Sequence, residues 1–536
     1  MHFEGTYMLQ VTVAKGREPV IIFLAVVAIG LAAAFYLYFV VDKYSLLYYW
    51  DAVSHSVAAR KFVDWGENPG LGQIGTVWMP LPHFLLLPFT LINALFTTGF
   101  AGTALSLPCL GLTSVYLYKI IKSLKMPSIA VIPSFAAFAG AMLYATNPNI
   151  MYLGITSMTE APFMLFFVAS AYYFQSWYQN GNRLRDLILC SIFLSFATLT
   201  KYEAWFLPIF LIIVAAVFMI RSKSQSPNKQ KIFAILASVL SLSNIVFWLV
   251  WNQYHYGDAL EFSNAQYYSA SWYAQNRPFR EILFLQPANV LSIYGVTAFA
   301  MYGPLLLGAG ILGYWIFRKA NVSGKKLVLL FLALPPIFTI TSLLIGIGEM
   351  SYWFNSRFMV LLSPLIIVIA CIFLANTNNN NNIKEDRRRI IIIGAIGVLF
   401  ASQLAMPAFF TIITMNDAIG GYSVKENLLA IDTGEALKSL YDGNGKIMIL
   451  TGSGLEHRVM ITSGIPLANF DEIIEHSTWK ASFKEPWSHD RWVVITEKPG
   501  TDALSTTQYW LDRMAELETH YRTVYENEYY KILVLR

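Results

Sequence analysis

From Pro19 to Met415 the chain is built of apolar runs separated by polar breaks, and most runs have roughly the 17 to 25 residues that a helix needs to cross a bilayer. The spacing predicts spans near 20–41, 101–119, 128–146, 159–178, 187–200, 204–220, 232–251, 294–317, 327–346, 358–375 and 390–413. From Asn416 the rhythm changes to short stretches of alternating polar and apolar positions. There 446–451 (KIMILT), 491–496 (RWVVIT) and 530–535 (YKILVL) read as buried strands, and 506–519 as an amphipathic helix. The expected architecture is mainly α: a polytopic membrane domain over 1–415 with about eleven spans, followed by a soluble α/β domain over 416–536.

Composition agrees. With 56% hydrophobic and 13% charged residues, the chain is too apolar for a soluble protein of this size. Cys109, Cys190 and Cys371 all lie inside apolar runs, which argues against a disulfide framework. The first run follows Lys15 and Arg17, exceeds a signal peptide's apolar core, and reads as an uncleaved span.

Loop charge then orients the chain. Five loops, at 119–125, 183–186, 221–231, 318–326 and 384–389, carry seventeen cations and three acids, whereas the intervening segments hold seven cations. Cations in short loops favour the cytoplasmic side, so the intervening segments face outward, among them a large first loop at 42–100 and another at 252–293. Counting 81–96 as a span would invert this pattern. That segment carries prolines at 80, 82 and 88 and reads as a membrane-dipping part of the first outer loop. The tail domain is then extracytoplasmic. The sequon at Asn321 and the asparagine run 378–382 fall in cytoplasmic loops, the first unmodified and the second a linker.

No expected span carries a charge near its middle, and the ionisable residues gather on the outer rim: Asp51, His55, Arg60, Glu160, Lys201, Glu203, His255, Asp258 and Arg357. Ion-coupled transporters need such groups at the midplane. Charges at a rim suit chemistry on a lipid headgroup. Most of these residues also have a plain structural reading. Asp51 fits a helix cap, His55 and Arg60 a solvated helix face, Glu160 a first-turn acid, Lys201 and Glu203 a local pair, Arg357 a snorkelling side chain and Asp258 a turn. Taken together, two acids and two cations at the ends of different spans form the minimum set for glycosyl transfer from a lipid phosphate. Cations stabilise the departing phosphate, and an acid takes the proton of the attacking hydroxyl. His457, His476 and His489 lack metal-ligand spacing and read as surface residues.

These segments resemble the GT-C superfamily of membrane glycosyltransferases, in particular relatives of protein O-mannosyltransferases and of the aminoarabinose transferase acting on lipid A. The resemblance rests on WDAVSHSVAAR at 50–60, WMPLPHFLL at 78–86, NPNIMYLGITSMTEAP at 147–162, TLTKYEAWFLP at 198–208 and SRF at 356–358, in that order. It implies a polyprenyl- or dolichyl-phosphate sugar donor, with Asp51 as base, Glu160 as its catalytic partner, and Lys201 and Arg357 on the donor phosphate. His55, Arg60, Glu203 and Asp258 are further candidates for substrate binding. Many relatives carry a second acid where this chain has Ala52, so the resemblance leaves a divalent metal open and requires no cofactor. The WWDYG signature of oligosaccharyltransferases is absent, WSHDRW at 487–492 being a poor substitute.

The expected function is transfer of a single sugar, a mannose-like hexose, to a protein, lipid or glycan acceptor outside the membrane, with inversion and without any nucleic-acid partner. The competing reading is a polytopic lipid or solute transporter, or a noncatalytic membrane scaffold.

Overall fold

In a computed structural model the described residues are 16–66, 69–124, 134–179, 183–221, 235–265, 269–276, 279–319, 325–351, 353–376, 385–450, 455–472, 481–497 and 505–536. Among them seven helices are long and apolar enough to cross a bilayer: Glu18–Val41, Phe100–Ser123, Ile235–Tyr256, Pro287–Lys319, Lys326–Leu344, Ser356–Ala375 and Ile390–Tyr422. The other expected runs are also helical, as Ser134–Ala145, Glu160–Gln179, Leu184–Thr198 and Phe206–Arg221. Large apolar side chains such as Leu24, Phe35, Ile213 and Ile311 stay exposed on the outside of this bundle, as lipid contact requires. The sequon and the asparagine run lie outside the described residues.

The proline-rich segment forms a helix, Pro80–Thr90, of 11 residues. At 1.5 Å per residue it reaches about half of a ~30 Å hydrocarbon core. Its start is tied to the bundle by the Leu81 amide, which donates to Leu199 O at 3.2 Å. The long Pro287–Lys319 helix is broken at Gly303, whose φ of 74° suits glycine, and Pro304 follows directly. Asn147 Nδ2 donates to Met301 O at 2.9 Å beside the break, while its Oδ1 caps the Pro148–Leu153 helix.

The tail carries a five-stranded sheet in the order β2-β1-β3-β5-β4, with β1 Lys446–Leu450, β2 Phe470–Glu472, β3 Asp490–Thr496, β4 Tyr521–Glu526 and β5 Tyr530–Leu535. β1 pairs in parallel with β2 and β3, while β5 pairs antiparallel with β3 and β4. Both faces are covered, which is why the three expected strands are continuous apolar runs. Ile447, Ile449, Trp492 and Val494 face one core, and Met448, Leu450, Val493 and Ile495 the other. β2 and β4 escaped the sequence reading because one is three residues long and the other is half exposed. The expected helix over 506–519 is two helices, Ser505–Leu511 and Met514–His520; the break lets Trp510 and Leu517 enter the same core.

The first of these cores extends beyond the sheet. It takes in Leu47, Val53, Val57 and Phe96, so the tail packs on the Trp50–Lys61 helix that begins with Asp51 in its first turn.

Candidate active site

Four distant stretches meet beside that helix. Arg357 Nη2 lies 2.6 Å from Asp51 Oδ2, and Lys201 Nζ lies 2.7 Å from Glu160 Oε1. The two pairs are joined, because Arg357 Nε is 3.7 Å from the same Glu160 oxygen, and Lys201 Nζ is 3.9 Å from Glu203 Oε1. Glu160 is buried and its Oε2 has no hydrogen-bond partner, whereas the Asp51 side chain is 28% exposed. The network is closed toward the bundle and open at Asp51.

Local structure explains each position. Glu160 opens its helix after a turn pinned from the Phe100–Ser123 helix, where Thr103 Oγ1 donates to Ile155 O at 2.6 Å and Ser106 Oγ to Thr156 O at 2.7 Å. Gly102 permits this approach: a Cβ there would lie 2.2 Å from Ser157 N. Ser56 Oγ meets Ser157 Oγ at 2.9 Å, fixing the Asp51 helix against the same turn. Lys201 sits in the bend after the Leu184–Thr198 helix, its ammonium 5.0 Å from the Phe358 ring centroid. Arg357 follows Asn355, a non-glycine residue at φ 53°, and starts the 3-10 segment Ser356–Leu362. Its guanidinium lies over Tyr49 at 5.5 Å and Phe358 at 5.3 Å.

These contacts set aside several of the plain readings. Asp51 makes no cap, because Tyr49 occupies the N-cap and the carboxylate takes Arg357. Lys201 favours Glu160 over its neighbour Glu203. His55 and Arg60 are buried, not solvated. His55 stands one turn after Asp51; its Nδ1 is 3.0 Å from His83 Nε2, and its ring packs on Trp78 at 4.4 Å. Arg60 lies outside the network: its Nε pairs with Asp64 at 2.7 Å and its Nη1 donates to Asn93 at 2.8 Å. Asp64 in turn accepts the amides of Leu467 and Ala468, so Arg60 serves the junction with the tail. Asp258 is also apart, on an exposed turn where its carboxylate accepts from Leu260 N and Asn264 Nδ2. Those two bonds hold its carboxyl below the usual range.

Asp417, Tyr49 and His83, which are not among the expected site residues, join the site. Asp417 accepts from Tyr49 Oη at 3.3 Å and Ser356 Oγ at 3.5 Å, and the Asn355 and Ser356 amides point to it. Tyr49 lies in the aromatic run Tyr48, Tyr49 and Trp50 just before Asp51, and His83 lies within MPLPHFLLLP.

His457 is not a surface residue. Its Nδ1 is 3.0 Å from Ser54 Oγ and its Nε2 is 3.6 Å from Glu472 Oε1. Among the described residues, Glu456, His457 and Glu472 are the one grouping close enough to share a metal, with ligand atoms within 4.8 Å. The Lys61 ammonium, 2.6 Å from Glu472 Oε2, already supplies a cation there. At the Asp51 network the acids are likewise met by Arg357 and Lys201. His489 is exposed, and His476 lies outside the described residues.

Residues 80–251 match the family model described as dolichyl-phosphate-mannose-protein mannosyltransferase. No curated protein matches the sequence. Among solved structures the chain is similar to ArnT from Cupriavidus metallidurans bound to undecaprenyl phosphate, at a TM-score of 0.53 and 12% identity, covering 97% of this chain and 98% of that one. The apo form of the same protein aligns at 0.50 and 11%, over 96% and 97%. The Archaeoglobus fulgidus oligosaccharyltransferase aligns more loosely, at 0.45 and 11%, over 89% and 69%. The chain therefore shares the fold of ArnT, with residues 80–251 matching a mannosyltransferase family model and seven described helices long and apolar enough to cross a membrane.

Proposed function

We propose that the protein moves one sugar, a mannose-like hexose, from a polyprenyl- or dolichyl-phosphate carrier to a hydroxyl acceptor on the outer side of the membrane. The observation that carries this reading is the joined pair Asp51–Arg357 and Glu160–Lys201, four charges from four stretches within salt-bridge distance. Support for the carrier comes from the family match and from the undecaprenyl phosphate bound by the similar ArnT. Loop charge supports the outer side, with 1–415 holding the chemistry and 416–536 extracytoplasmic.

In this mechanism the donor phosphate enters between Arg357 and Lys201, the first binding as a fork and the second as a point charge. Arg357 thereby leaves Asp51, whose carboxylate is free to meet the acceptor hydroxyl. An acceptor O–H then attacks the anomeric carbon from the face opposite the phosphate. The new C–O bond forms, the C–O bond to phosphate breaks, the proton passes to Asp51, and the negative charge on the leaving phosphate is met by the two cations. Direct displacement inverts the anomeric centre. Glu160 holds both cations in register through one oxygen.

The test is donor turnover by purified protein in a single compartment. Labelled polyprenyl-phosphate mannose should lose its sugar and release polyprenyl phosphate. A transporter or scaffold leaves the donor intact, and that result, repeated across hexose and aminopentose donors, overturns the proposal.

A further inference from the structure

The pair His55 and His83 has a fixed proton arrangement. His83 Nδ1 lies 3.0 Å from the Met79 carbonyl oxygen, which can only accept, so Nδ1 carries a proton. Burial pushes the His55 imidazolium pKa down to about 3, and His83 is also fully buried, so both rings are neutral at physiological pH. A neutral ring protonated at Nδ1 leaves His83 Nε2 as an acceptor. The 3.0 Å contact then requires His55 Nδ1 to donate. His55 is thereby held as its Nδ1–H tautomer, with Nε2 a bare lone pair on the edge of the ring away from His83.

That lone pair has no hydrogen-bond partner among the described residues, and the ring stands one helical turn from Asp51. The charges acting on it are those of Glu160, Arg357 and Lys201. Trp78 packs on the ring and keeps it from turning. An acceptor with nothing to accept, held beside the proposed base, suits a ligand that brings a hydroxyl.

We propose that His83 is a positioning residue that locks His55 so that Nε2 accepts a hydrogen bond from a hydroxyl of the bound sugar or of the acceptor. The inference rests on the glycosyl-transfer reading and extends it: selectivity for a hydroxyl at one ligand position is set by a histidine relay reaching back to the Met79 carbonyl.

Two measurements test it. The first needs no turnover: 15N NMR of histidine-labelled protein in nanodiscs, with His83→Phe used to assign the pair. Expected is a His55 ring protonated at Nδ1 and bare at Nε2, changing when His83 is removed; a ring protonated at Nε2 overturns the proposal. The second compares His55→Gln, whose amide oxygen can reach the Nε2 position, with His55→Phe. Loss of one neutral hydrogen bond lowers kcat/KM by roughly three- to tenfold in the Phe variant, with most of it restored in the Gln variant. A loss that also appears when water replaces the acceptor assigns the hydroxyl to the sugar; one confined to acceptor-dependent turnover assigns it to the acceptor. Equal loss in both variants overturns the proposal. Failure of the unaltered enzyme to consume any donor counts against the glycosyl-transfer reading, and the tautomer measurement then decides the histidine relay alone.

Discussion

Asp51 and Arg357, 306 residues apart in sequence, are in contact through a 2.6 Å ion pair. The carboxylate is thus occupied by Arg357 in the resting site; in the proposed mechanism a phosphate that binds Arg357 frees it, which links donor occupancy to the availability of the base. Asp51→Asn keeps the shape and a hydrogen bond to Arg357 while removing the base. Transfer should fall by about two to four decades, as expected for loss of a general base, with donor affinity changed little. Single-turnover rates with pre-bound donor make the comparison, and near-normal chemistry in the variant removes Asp51 from that role.

Lys201 and Arg357 predict a different signature. Both are assigned to the phosphate, so Lys201→Ala and Arg357→Lys should weaken use of the donor by about 1.5–3 kcal/mol each, roughly 10- to 150-fold in kcat/KM. The Arg357→Lys change preserves charge but loses the fork. Direct titration with polyprenyl phosphate, which lacks the sugar, isolates this contact; unchanged affinity in both variants would exclude them from the phosphate site.

The reach of the sequence can be judged from these same residues. Asp51, Glu160, Lys201 and Arg357 were legible because charges are rare in this chain's apolar part, and the last three stand where a run begins or ends. Their partners were not. Nothing in TIITMNDAIG distinguishes Asp417 from a first residue of the soluble tail until the Ile413–Tyr422 helix is seen folded back on Tyr49 and Ser356. Arg60 and His55, five residues apart on one helix, look alike as polar positions. They part company only in three dimensions, where one faces His83 and the other Asp64. Patterns report which residues are costly to bury; the distances that give them work are set by turns such as 154–159, whose geometry depends on a glycine in another helix.

The junction between the tail and the Asp51 helix yields a prediction in pH. Burial raises the Glu472 carboxyl, but Lys61 and His457 together outweigh it and hold it well below its ordinary value. A depressed carboxyl contributes stability that is complete above the unfolded pKa near 4.3 and is lost as pH falls through the folded one. Lys61→Met removes the nearest cation and leaves the burial. The variant should be less stable at pH 8 by on the order of 1–3 kcal/mol. Its deficit against the parent should shrink as pH drops toward 5, because protonation then relieves the stranded carboxylate. Thermal unfolding in detergent over pH 5 to 8 measures the gap, and a pH-independent deficit would disprove the electrostatic account.

Asp417 supplies the last prediction. Its carboxylate gathers Tyr49 Oη and Ser356 Oγ, and the Asn355 and Ser356 amides point to it, so it anchors the turn at Asn355, whose φ of 53° is unfavourable for any residue but glycine or asparagine. Tyr49 in turn supports the Arg357 guanidinium from below. Asp417 therefore acts on Arg357 through two intermediaries without reaching the phosphate itself. Asp417→Asn keeps one acceptor oxygen but presents an amide where two donors converged, and Arg357 loses its fixed aim. The donor KM should rise about tenfold, the scale of one charged hydrogen bond, while kcat measured at saturating donor moves less. Asp417→Glu, which restores the charge, should recover part of the loss. Equal falls in kcat for both substitutions, with KM unchanged, would instead place Asp417 among the groups acting on the transition state and refute a positioning role.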